Sequence, residues 1–317
     1  MLIVGGTATV DHSMLHTDLE RGDVTQDGGV RFSSIGDLDQ GRELPSVIPT
    51  SGGVYVLGGR AVDGGVADDE LLTLAVNGTA TAHPLPGSML NTPRFAAAVV
   101  RVGDDVLVMG GIGFDSANTV LSDVESARLL PDGGLGSFTS IGEMHDSGGP
   151  LPRAGFSAFV RTQGVLDQVV LVGGGGRYGF ALTDNGKGVM GMTVAAGPVI
   201  QPLVELGSLS NPHVDGEAVW DAASSKLYAM GGAPSIASAE NPGFFGQPNA
   251  AVDVLSALDN GHFGDEASYP TLLSVRRLGF ATARICRDVY LIGGETWNGN
   301  TNAYDAMATQ IDVLHLP

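Results

Sequence analysis

Three arginines and a histidine recur at one relative position in this chain. They lie in Pro93-Arg94, Pro152-Arg153 and Pro212-His213, and in Arg277-Leu-Gly-Phe, which repeats Arg153-Ala-Gly-Phe. Arg276 stands beside the last of them, and Arg60 and Arg177 follow glycine pairs. A guanidinium is a rigid fork of donors that grips a carboxylate through two parallel hydrogen bonds, so a ring of arginines is a site for acidic groups. The competing role is structural, each arginine pairing with an Asp or Glu of a neighbouring repeat.

Acid–base chemistry has one candidate, Glu295, which directly follows a glycine pair and stands two residues before Trp297. Asp215 and Glu217 are weaker choices for the same role. No Gly-x-Ser-x-Gly nucleophile elbow occurs. The seven histidines share no spacing; Asp11, His12 and His16 cluster and admit either a metal or a solvated loop, and no metal or cofactor is expected. Aromatic residues gather in segments that follow glycine pairs: Phe114, Tyr178, Phe180, Phe244, Phe245 and Trp297. They form a contact surface or tuck down to cap the fold. The longest such segment, residues 233–249, is the expected recognition element.

What must position these residues is a phrase that occurs six times, a short apolar run ending in two glycines. It reads Leu2-Ile-Val-Gly5-Gly6 first and Val289-Tyr-Leu-Ile-Gly293-Gly294 last, with copies ending at Gly59, Gly111, Gly174 and Gly232. Repeats of roughly 50 residues built from short strands predict a β-propeller. Each unit shows four strands. The first follows the arginine, the second ends in the glycine pair, and the third alternates apolar with polar, as in Val252-Asp-Val-Leu-Ser-Ala-Leu258. Asp27-Gly28, Asn77-Gly78, Asp132-Gly133 and Asn260-Gly261 supply the tight turns before the fourth. The glycine pairs are assigned to positive φ or to a close approach of the next blade. A phosphate-binding role is excluded because no helix and no Gly-Lys-Ser/Thr follows. The expected fold is all-β, a single six-bladed propeller domain over residues 1–317.

The composition narrows the partners. A net charge of −19 and only two lysines, Lys187 and Lys226, leave no basic surface for nucleic acid. No apolar run is long enough for a transmembrane helix and no signal peptide is visible, which leaves the compartment open, secretion of a trimmed form included. One cysteine, Cys286, cannot form an internal disulfide.

The four-strand phrase, with its double glycine and arginine-led first strand, resembles the kelch family of propellers, in the manner of a bacterial kelch-like protein. It departs in lacking the third-strand tyrosine and in placing Phe32 and Phe138 where a fourth-strand tryptophan is usual. The resemblance implies a scaffold for a protein partner or an anionic ligand. One kelch-like class oxidises alcohols with copper through a cysteine–tyrosine crosslink, but Cys286 lies in the turn between first and second strands, away from the candidate site. Another class mutarotates sugar acids, and Glu295 beside the arginines would serve that chemistry.

Antiparallel order brings the second-to-third loops and the fourth-to-first connections to one face. That face is expected to carry Arg60, Arg94, Arg153, Arg177, Arg277 and His213 around the channel mouth, with Tyr178, Phe244, Phe245 and Trp297 outside them. The expected partner is a protein, an acidic peptide or an acidic glycan. Leu2-Ile-Val aligns with second strands and Ile311-Asp-Val-Leu with third strands, so the first and last blades are predicted to be incomplete. Truncation, a different register or a strand donated by a partner would each account for the seam between them.

Overall fold

The computed structural model describes every residue except 10–11, 86–87, 115–118, 164–165, 177–185, 196–198, 235–246, 269–271 and 299–302. Six antiparallel sheets form the blades of a six-bladed β-propeller. Blade 2 shows the unit: Ser46–Thr50, Gly53–Leu57, Glu70–Leu74 and Ala80–Pro84, hydrogen-bonded in that order. Among the described residues no helix is long and apolar enough to cross a membrane.

The second strands read as unbroken apolar runs because both of their faces are buried. In blade 2, Val54 and Val56 pack towards blade 1 with Leu19 and Leu38, while Tyr55 and Leu57 pack towards blade 3 with Val106 and Val108. In blade 3, Leu107 and Met109 turn the other way, onto Phe156 and Leu171 of blade 4. The same interleaving joins blades 4 and 5 through Val170, Val172, Leu227 and Ala229, and blades 5 and 6 through Tyr228, Met230, Val289 and Leu291. Five joints therefore have an apolar core. Among the described residues, none spans blades 6 and 1.

The incomplete end blades are borne out. Blade 1 consists of Leu2–Val4, Asp18–Val24 and Val30–Asp37, which are second, third and fourth strands. Blade 6 consists of Ala281–Ile285, Asp288–Ile292 and Asp312–His315, which are first, second and third strands.

Both reasons for the glycine pairs hold. Gly58, Gly110 and Gly173 have φ of +57°, +58° and +69°, and a Cβ on them would fall on the carbonyl oxygen of Arg94, Arg153 and His213 in the next blade. The second glycine then donates its N–H to that carbonyl: Gly59 to Arg94 at 3.1 Å, Gly111 to Arg153 at 2.9 Å, Gly174 to His213 at 3.2 Å.

Candidate functional site

The residue leading into each first strand sets the geometry of the channel. Two positions further on lie Leu44, Ala96, Gly155, Asp215 and Gly279, all with φ between +49° and +62°. They form a backbone girdle. Ala96 N–H donates to Leu44 at 3.0 Å, Gly155 to Ala96 at 3.1 Å, Asp215 to Gly155 at 2.8 Å and Gly279 to Asp215 at 2.8 Å.

The lead-in cations do not point into that channel. Arg94 is 1% exposed, Arg153 3% and Arg277 0%, each folded back into its own blade. Arg94 donates to Asp123 Oδ1 at 2.9 Å, Asp123 Oδ2 at 2.7 Å, Glu125, and the Gly110 carbonyl at 2.9 Å. Arg277 donates to Asp312 at 2.8 Å and to the Gly293 carbonyl at 3.0 Å. Arg42, which lacks the preceding proline and escaped the sequence pattern, does the same with Glu70 and Gly58. His213 meets Asp253 at 3.1 Å. Burial lifts the Asp253 carboxyl, but His213 and Asn211 outweigh it and hold the group below the usual carboxylate range.

The four acids are equivalent. Glu70, Glu125, Asp253 and Asp312 each lie opposite the second residue before a glycine pair, namely Val56, Val108, Ala229 and Leu291. Blade 4 carries Met190 at this position, and Arg153 donates to the Gly173 carbonyl. The acid also accepts from the backbone of the incoming connection, Asn91 N–H to Glu125 at 2.7 Å and Asn211 N–H to Asp253 at 2.8 Å. This is a clasp within one blade, not a pairing between neighbours. An arginine is desolvated here at tolerable cost only because carboxylate and carbonyl take its donors. The expected cationic ring at the mouth is therefore corrected: of those arginines with described positions, only Arg60 remains there.

What the mouth holds instead is a cluster dominated by carboxyls. Arg60 pairs with Glu43. His12, from the loop after the first glycine pair, bridges Glu43 at 2.6 Å and Glu295 at 3.3 Å. Asp215 and Glu217 complete it from blade 5, with Ser157 donating to Glu217 at 3.1 Å. His12 thus joins blade 1 to blades 2 and 6 across the break in the girdle. Among the described residues, no three acids, histidines or cysteines are arranged to hold a metal ion.

Electrostatics mark the same residues. Asp215 and Glu217 keep part of their surface open to the channel, but protein surrounds them. Burial, reinforced by Glu43, pushes Asp215 up to about 6. Burial, against the Ser157 bond and helped by Asp215, pushes Glu217 up to about 7. Glu295 is likewise raised to about 7 by burial, which with Glu43 and Asp215 outweighs His12 and Arg60. The Glu43 hydrogen bond raises His12 above its usual value.

No protein-family model and no curated protein matches the chain. Its function must be read from this cluster.

The remaining candidates are dispersed. Phe114 tucks against Phe95, ring centroids 5.3 Å apart, and joins a small apolar cluster with Ile112, Val120 and Ala154. Trp297 is half-buried in the strand Glu295–Asn298. Arg177, Tyr178, Phe180, Phe244, Phe245 and Asp11 lie outside the described residues. His16 pairs with Asp18 at 2.9 Å, and Arg276 reaches Gln247 at 3.1 Å. Cys286 is exposed in its turn. Glu43 was missed because nothing in its local sequence marks it; only the bridge between Glu43 and Arg60 brings it to the mouth.

A pH dependence follows. The three carboxyls bind protons more tightly folded than unfolded, so their contribution is complete below about pH 4 and is lost as pH rises towards 7. His12 acts in the same direction above its unfolded value. Asp221, held low chiefly by Ser224, and Asp253 lose theirs as the solution becomes strongly acid. Urea denaturation should therefore give maximal stability near about pH 4, with a fall on the order of 2–4 kcal/mol by pH 8. The Asp215→Asn/Glu217→Gln variant should flatten that fall.

Proposed function

We propose that the chain is a kelch-type propeller that binds a ligand at the channel mouth without chemistry of its own, and that the ligand presents hydroxyl or cationic groups. One observation carries this reading: the ionisable groups occupy positions that the repeat fills elsewhere with small or apolar residues. Asp215 stands where other blades have Leu44, Ala96, Gly155 and Gly279. Glu217 stands where they have Ser46, Ala98, Ser157 and Ala281. Folding does not require these carboxyls, and their burial is costly, which favours a role in recognition. The kelch assignment rests on the glycine pairs and the arginine-led first strands.

An acidic peptide or glycan, the partner suggested by the arginines alone, would meet four carboxyl groups, with Arg60 already engaged by Glu43. A neutral sugar, an amine, or a lysine or arginine of a partner protein suits the cluster better. Calorimetry at pH 7.5 should show binding of arginine methyl ester or of neutral hexoses, lost in Asp215→Asn/Glu217→Gln. Binding of glucuronate alone would overturn the reading. Proton transfer to a sugar hemiacetal by Glu295 is the second reading, favoured by a carboxyl near neutrality beside His12. Anomer exchange measured by NMR decides it, since only catalysis would be slowed in Glu295→Gln.

A further inference from the structure

Side chains along a first strand alternate between the two neighbouring blades. At the end furthest from the lead-in residue, each joint is therefore closed by one side chain from either blade. The strand registers make these Val102 and Val160 between blades 3 and 4, Arg161 and Trp220 between blades 4 and 5, and Asp221 and Arg284 between blades 5 and 6. All three joints are filled there. Val102 and Val160 pack against one apolar core. Trp220 stacks on Phe159, ring centroids 5.8 Å apart, and meets Phe263 edge-on at 5.8 Å. Arg284 donates to Asp221 at 2.7 Å.

Between blades 2 and 3 the corresponding residues are Thr50 and Arg101, and neither fills the space. Thr50 is short, and its hydroxyl donates to the Gly53 carbonyl at 3.1 Å. Arg101 is exposed and turns back onto its own hairpin, its Nε donating to the Gly103 carbonyl at 2.8 Å. A cavity of about 140 Å³ remains, walled by Ile48, Val99, Val106 and Leu129, with Arg101 at its rim. The strand registers make those walls the counterparts of Phe159, Ala218, Leu227 and Ala257, which pack in the joint that Trp220 fills. The cavity thus lies where the other joint holds an indole.

We infer that this cavity is a binding site for a small uncharged aromatic ring, of the size of benzene or phenol. Its volume sets the size, since an apolar cavity of about 150 Å³ stays dry and holds benzene. Its walls set the chemistry: Ile48, Val99, Val106 and Leu129 offer dispersion contact and no hydrogen-bond partner. The joint between blades 4 and 5 sets the shape, because there the corresponding walls enclose a flat ring. At the rim Arg101 lies 3.8 Å from Asp104, so its charge is shared and a neutral ring is favoured over an anion. Native interiors are packed to crystal density, and a space of this size at one of several repeated joints serves recognition, not folding. The cavity lies at the opposite end of the first strands from Asp215 and Glu217, so it stands whether or not the mouth binds a ligand.

The test is a fluorine NMR titration of the full chain with fluorobenzene. One saturable site is expected, with a dissociation constant on the order of 1 mM. Arg101→Trp supplies the ring that Trp220 provides in the other joint; it should weaken binding by about tenfold or more and raise the urea midpoint. Val99→Phe fills the same space from the wall and should weaken binding likewise. Arg101→Ala removes the guanidinium but leaves the walls intact, and should bind fluorobenzene within about twofold of the wild type. Absence of a saturable shift, undiminished binding in both filling variants, or loss of binding in Arg101→Ala would each overturn the inference.

Discussion

Glu125→Ala should destabilise the protein by about 3–5 kcal/mol, read as a lowered urea midpoint at unchanged slope. The carboxylate accepts from the Asn91 backbone at 2.7 Å, the Asn91 side chain at 2.9 Å, the Thr92 backbone at 2.9 Å and Arg94. Its removal leaves a fully buried guanidinium with Asp123 as its remaining acid and frees the connection from blade 2 to blade 3. Glu143→Ala, an exposed fourth-strand glutamate bonded to Ser122, should cost less than about 0.5 kcal/mol. The paired replacement Arg94→Leu/Glu125→Leu should recover part of the loss, because it removes the uncompensated guanidinium and leaves only the partly exposed Asp123 without its cation. A Glu125→Ala variant as stable as wild type would mean that the clasp contributes nothing.

The second large effect distinguishes glycines that the sequence makes identical. Gly110→Ala should cost more than about 4 kcal/mol: the alanine must adopt φ +58° and place its Cβ on the Arg153 carbonyl oxygen. Gly293→Ala suffers the same backbone strain at φ +71° with no described residue within 4 Å of the added Cβ, and should cost about 1–2 kcal/mol. Equal losses at the two positions would show the joint between blades 6 and 1 to be as closely packed as that between blades 3 and 4.

Both predictions turn on repetition, and repetition is legible in the order of the amino acids. A strand buried on both faces must be apolar throughout, and a chain crossing close to the next blade must drop its Cβ; these demands write Val-Leu-Val-Met-Gly110-Gly111 and its five relatives into the sequence. Blade number, strand order, turn positions and the two incomplete blades follow from aligning such phrases. The Arg94 and Arg277 pattern is equally visible there, but its meaning is not. Whether an arginine at a strand's start faces the channel or its own blade depends on an acid about 30 residues away on the third strand, paired in one register and not its neighbour.

The cluster at the mouth was decided by tertiary structure alone. His12, Glu43, Asp215 and Glu295 are separated by up to 283 positions and meet only because the ring returns its last blade to its first. Their raised carboxyls come from enclosure, which no local spacing encodes. By itself the sequence determined the propeller, since that rests on steric rules that act within a repeat. The identity of the working residues was decided by closure of the ring, which sets side chains from different repeats against one another at the axis.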